Sequence, residues 1–247
     1  MRLVLAALIV SAVAPIARAD VITVISSRDN TLYESATGAL SNGSGENFFA
    51  GLTTVGIRRG LVFFKLDSDI PAGSTVTSVA LTLNVTQANG VPADFTLQRV
   101  LSNWGEGASN AGLPGGMGTA AAVNDATWLH TFFNTSFWTN AGGDFSSTIS
   151  ATTSITGVGP FTWTSAQMVA DVQAWVDNPS LNFGWIVRDA ETVVRQAARF
   201  ASRENPNSQL RPTLTVTFTP IPEPTALVLA GFGMIGGWWA RRSAARR

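Results

Sequence analysis

Residues 58–86, RRGLVFFKLDSDIPAGSTVTSVALTLNVT, constrain the fold more than any other stretch. Leu61, Val62, Phe63 and Phe64 form an unbroken apolar run, as expected of a strand with two dry faces. Val79, Leu81, Leu83 and Val85 alternate with Ala80, Thr82, Asn84 and Thr86, which marks a strand with one dry and one wet face. Pro71-Ala72-Gly73 punctuates the turn between them. A buried central strand beside a half-buried neighbour predicts two sheets packed face to face.

The rest of the body repeats the short-strand pattern. Strands are expected at residues 20–26, 48–52, 60–66, 95–101, 147–155, 183–188, 199–202 and 213–219. Residues 38–45 and 108–126 are rich in Gly, Ala, Ser and Asn and read as loops, the second a long surface loop. One helix is expected over residues 165–177. There Met168, Val169, Val172, Trp175 and Val176 share a face, Ser165 caps the start and Asn178-Pro179 stops the end. About nine short strands and one helix predict an all-β, jelly-roll-type β-sandwich; an immunoglobulin-like sandwich is the alternative.

Charge narrows the partners. The chain of 247 residues has no cysteine and one histidine, so a disulfide framework is excluded and a Cys/His zinc site nearly so. Its formal net charge of zero is uneven. Residues 20–220 hold 10 basic and 15 acidic residues, a net of 10 − 15 = −5. Such a body has no attraction for phosphate backbones, and nucleic acid is set aside.

Both ends read as addresses. Residues 1–19 have the form of a secretory signal peptide: Arg2, an apolar run, then Ala17-Arg18-Ala19 as cleavage site. At the other end Pro222-Glu223-Pro224 precedes an apolar stretch, residues 225–240, and a tail opening with Arg241-Arg242. Sixteen helical residues barely cross ~30 Å of hydrocarbon, and the arginines would keep the tail cytoplasmic and the body outside. This order of parts, over residues 221–247, resembles the PEP-CTERM sorting signal of Gram-negative bacteria. The resemblance implies an exosortase-type processing enzyme as partner, transient anchoring in the inner membrane, and release to the cell surface or outside the cell.

Between the ends, residues 20–220 read as one domain. Asp29-Asn30-Thr31-Leu32-Tyr33, the Arg59–Leu66 run, Ile70-Pro71-Ala72-Gly73, Trp104-Gly105-Glu106, Asp171-Val172 with Trp175, Asn182-Phe183-Gly184, Ser202-Arg203-Glu204 and Arg211-Pro212 occur in order. This set resembles the DNRLRE domain, a secreted β-sandwich related to carbohydrate-binding modules. The resemblance implies a non-catalytic module, in some members a polysaccharide binder. The chain departs from it after Glu106, where the loop is longer and richer in Gly and Ala. Arg59, Arg203 and Glu204 are expected to form a structural ion pair between strands.

Sugar binding needs flat aromatic faces for the C–H faces of pyranose rings, with polar groups nearby for hydroxyls. Trp104, Trp128 and Trp138 lie in or beside loops and are the candidate platforms; Trp175 and Trp185 are assigned to the core. Catalysis finds little support. His130 sits in an aromatic cluster, and no serine has a G-x-S-x-G setting. No cofactor is expected. A structural calcium ion is entertained for Asp29, Asp125 and Asp144 near turns, without a D-x-D-x-D-G loop and with no ligands assigned. The expectation is an exported, non-catalytic surface or matrix protein that binds extracellular polysaccharide. The alternatives are a structural biofilm component without a ligand and a secreted polysaccharide hydrolase.

Overall fold

The computed structural model describes residues 18–90 and 92–221. The stretch expected to be a signal peptide lies outside them up to Ala17, as do Pro222, Glu223, Pro224, residues 225–240 and the tail with Arg241 and Arg242. Among the described residues no helix is long and apolar enough to cross a membrane.

The described strands are β1 (Asp20–Ile25), β2 (Arg28–Tyr33), β3 (Leu40–Ser41), β4 (Asn47–Thr53), β5 (Gly56–Phe63), β6 (Thr75–Ala88), β7 (Ala93–Val100) and β8 (Thr119–Ala120), then β9 (His130–Phe132), β10 (Ser136–Phe137), β11 (Phe145–Ile155), β12 (Gly159–Trp163), β13 (Trp185–Arg188), β14 (Gln196–Ala201) and β15 (Thr213–Thr219). One α-helix, α1 (Ala166–Asp177), stands between β12 and β13. Eleven strands form one sheet with the path β1-β15-β6-β14-β4-β5-β13-β7-β11; β12 pairs with β6 and β2 with β5. The chain is mostly β, and this sheet curls over on itself. The expected pair of separate sheets is replaced by one continuous sheet, because β6 reaches partners on both sides. β15 and β14 share one of its edges, and β12 lies along the other.

The curl encloses the main core. Val79, Leu81, Leu83 and Val85 of β6 meet Leu214, Val216 and Phe218 of β15, Phe95 and Leu97 of β7, and the helix face Met168, Val172, Trp175 and Val176. Burying one such side chain contributes about 1.5–3 kcal/mol. Ser165 caps α1, its hydroxyl accepting the Met168 N–H at 2.9 Å. A second, smaller core lies under the loops and holds Leu32, Leu61, Val100, Trp104, Trp128, Trp138 and Ile186. Strand β5 divides the two. Val62 points into the main core and Leu61 into the smaller one, so both faces of this strand are dry. All these residues fall between β1 and β15. Among the described residues, both cores are built from side chains of the segment that runs from β1 to β15.

Candidate functional site

A row of side chains crosses three strands on the outer face of the sheet. Phe49 of β4 stands opposite Arg199 of β14, which stands opposite Gln87 of β6. Their neighbours Phe48, Ala50, Ala198 and Phe200 are buried, so the period of two turns the row outward. The next row is small: Gly51 opposite Ala197, with Arg58 beyond on β5. Gly51 has φ of +113°, and a Cβ there would meet the Gln196 carbonyl at 2.2 Å. Small residues in the floor leave a groove with a cavity volume of ≈ 290 Å³. Asn89 edges it on one side, and Pro114, Gly116 and Met117 of the long loop wall it on the other.

That wall is pinned from below. Tyr33 Oη donates to the Gly115 carbonyl at 2.8 Å and Arg58 Nε to the Gly116 carbonyl at 3.1 Å. The Arg58 guanidinium stacks over the Tyr33 ring, 4.9 Å from its centroid. Burial lowers the Arg58 pKa from its very high ordinary value. Arg199 Nε donates to Thr86 Oγ1 at 2.9 Å. No carboxylate lines the groove, and among the described residues neither arginine has a salt-bridge partner. Arg199 brings a half-buried guanidinium to this acid-free lining, whereas Arg58 lies beneath the wall, 2% exposed.

The root of the same loop is held by a charged cluster. Arg203 grips Glu106, and Arg203 N–H donates to Asp29 Oδ2 at 2.8 Å. Asp29 N–H donates to Glu106 Oε1 at 2.8 Å. Carboxylate oxygens of Asp29, Glu106 and Glu204 lie within 4.8 Å of one another. Glu204 Oε1 is 2.8 Å from Arg203 Nη2. This is a charge contact outside hydrogen-bonding geometry, and both Glu204 oxygens are buried without a donor. Burial, then the Glu106 charge, pushes Glu204 up to about 7. Burial, then Glu204, raises Asp29 well above the usual carboxylate range. The trio has the donor type a hard cation takes, but the Arg203 guanidinium already supplies positive charge at its centre.

The three tryptophans expected as platforms are folded inward. Trp104, Trp128 and Trp138 are 0%, 8% and 5% exposed. Trp104 Nε1 donates to the Phe183 carbonyl at 2.8 Å and Trp138 Nε1 to the Thr127 carbonyl at 2.9 Å. Arg59 covers the Trp128 ring at 4.9 Å. A ring buried on both sides has no face free for a sugar. The loops double back over the sheet, which places these side chains in the smaller core.

The expected ion pair divides in two. Arg203 and Glu204 do meet, whereas Arg59 reaches Glu191, with Nε–Oε1 at 2.7 Å and Nη2–Oε2 at 2.8 Å. Asp125 and Asp144 serve as turn caps. Asp125 Oδ2 accepts from Ala122 N–H at 2.6 Å, and Asp144 accepts from the N–H groups of Thr139 and Asn140 at 2.8 and 2.9 Å. His130 is buried, with Nδ1 3.0 Å from Thr127 Oγ1. Sequence reasoning missed the groove residues Phe49, Gln87 and Arg199. The available signal was the outward set of the 48–52 strand, an aromatic followed two residues later by a glycine.

Residues 220–247 match the PEP-CTERM protein-sorting motif. A chain with this signal is exported and sorted by an exosortase to the surface or beyond. No curated protein matches the chain.

Proposed function

We propose that this exported protein is a non-catalytic module that holds extracellular polysaccharide in the groove between β6, β14, β4 and the loop wall at Pro114–Met117. The row Phe49–Arg199–Gln87 carries the reading. Phe49 offers an aromatic surface to the C–H face of a pyranose ring. The amides of Gln87 and Asn89 suit hydroxyl groups, and the planar fork of Arg199 suits a carboxylate or sulfate. Arg199, unmatched by any acid in the lining, favours a polymer with anionic substituents. The DNRLRE-like order of motifs supports the same assignment, and with it a jelly-roll-type reading of the curled sheet.

The test is retention of the body, residues 20–221, on a panel of immobilised neutral and acidic polysaccharides. Phe49→Ala and Arg199→Gln are compared with the parent, and melting temperature confirms that each is folded. Retention by an acidic polymer that is lost in both folded variants supports the assignment. Retention unchanged in both, or no retention of the parent on any polymer, overturns it.

A further inference from the structure

Among the described residues, strand β1 ends the eleven-strand path and β15 is its one ladder partner. Ser26 N–H donates to the Pro212 carbonyl at 3.0 Å. Peptide groups on an antiparallel strand face alternate sides. Asp20, Ile22 and Val24 therefore turn theirs toward β15, and Val21, Thr23 and Ile25 turn theirs away from it. The side chains of the second set are exposed; Val21 is 63% and Ile25 47% open to solvent. Among the described residues these outward peptide groups have no partner, and the side chains beside them, apolar at Val21 and Ile25, are exposed.

Sheet edges are ordinarily guarded against such pairing by Lys, Pro or a bulge. The other end of the path is guarded: β11 loses register between Phe145 and Ile149 and again between Ile149 and Ala151. Strand β1 contains no Lys and no Pro, and its register with β15 is unbroken over all six residues. Its one charge, Asp20, stands at its first position. The run Val21-Ile22-Thr23-Val24-Ile25 has the same β-branched character in either direction.

We propose that β1 is a self-association strand, through which two copies of this chain pair edge to edge, antiparallel and centred on Thr23, so that two curled sheets become one. In that register Val21 of one copy faces Ile25 of the other, and Thr23 faces Thr23. These are the three residues whose peptide groups are free, so three pairs make about six new hydrogen bonds. No other centre matches all three. Within one copy Thr23 Oγ1 already lies 3.0 Å from Thr215 Oγ1. The pairing extends that contact into a threonine ladder across both copies. The two Asp20 carboxylates fall at opposite ends, so no like charges confront each other. The interface uses the same strand of both copies and closes at two. This assembly is independent of the groove reading.

Sedimentation velocity of residues 20–221 through the micromolar range tests it. The parent is expected to dimerise. Thr23→Pro removes an outward N–H, which an edge strand tolerates, and one exposed hydroxyl contact to Thr215, and is expected to stay monomeric with little change in melting temperature. Val21→Lys, a charge on the same exposed face, is expected to do the same. The chain lacks cysteine, so a single spin label on Thr23→Cys reports the register, with the two Thr23 Cα atoms about 5.5 Å apart. Strong dipolar broadening is expected. A parent that is monomeric throughout, a dimer that survives both edge variants, or a dimer without broadening overturns the proposal.

Discussion

Arg203 grips Glu106 through two parallel hydrogen bonds, Nε to Oε1 at 2.7 Å and Nη2 to Oε2 at 2.5 Å, across 97 positions of chain. This fork ties the root of the long loop to the segment after β14. Removing Arg203 would leave the Glu106 carboxylate without its forked partner, beside Asp29 and Glu204. Breaking a buried pair this way costs about 3–5 kcal/mol. Because 39% of the Arg203 side chain meets water, Arg203→Ala is expected at about 2 kcal/mol. Denaturant unfolding measures it, and Arg203→Lys should recover only part, since an ammonium cannot form the fork.

The same cluster gives stability a pH dependence. Glu204 is pushed up to about 7 in the folded protein, against an ordinary value of about 4.3 when unfolded. A raised carboxyl pKa means that the folded state holds a proton which the unfolded chain gives up. Its contribution is full below the unfolded value and fades as pH rises through the folded one. Between about pH 4.3 and 7 the parent should lose stability that Glu204→Gln, which cannot titrate, retains. Melting temperatures of the two across this window should converge at the acid end and part above it. Parallel curves would show that Glu204 is not the group.

The floor of the groove needs glycine at position 51. A Cβ there meets backbone at 2.2 Å, and φ of +113° is a region side chains avoid. Gly51→Ala is expected to cost about 1–3 kcal/mol and to weaken polysaccharide retention by displacing Ala197. Urea unfolding and the retention assay read the two effects separately.

Binding to an acidic polymer should be sensitive to salt. The Debye length shrinks from about 10 Å at 0.1 M to about 3 Å at 1 M. Retention of the parent is expected to fall over that range, and Arg199→Gln should flatten the dependence. Isothermal titration at several salt concentrations decides it.

Trp104→Ala separates core from platform. The side chain is fully buried and its Nε1–H is bonded, so truncation should cost about 3–5 kcal/mol. At temperatures where the variant remains folded, sugar retention should match the parent.

What the sequence made legible follows from locality. Thr213–Thr219 alternates so cleanly that its strand could be read to the residue, and Ser165 marked the start of the helix within one position. Arg28–Tyr33 was not recognised as a strand, because Asp29, Asn30 and Thr31 look like turn chemistry. They are buried, and Asn30 is satisfied by the carbonyls of Glu106 and Ala126 on a distant loop. The tryptophans misled for the same reason: sequence shows a ring beside a loop, not the loop folding back. The groove was hidden because Phe49 and Arg199 are neighbours only through β-pairing across 150 positions.

Strand β6 has a geometrical consequence for a protein sorted by its C-terminus. Val76 near its start pairs with Phe218, and Phe218 pairs with Asp20, so both ends of the body meet at one pole. Ile221 leaves that pole beside Gly73. Gln87 stands near the far end of the same strand and Asn89 just beyond it, about 35 Å away at ~3.3 Å per residue. The strand is thus a mast. The groove and the point where the chain departs toward its sorting signal are thereby held at opposite ends of the body.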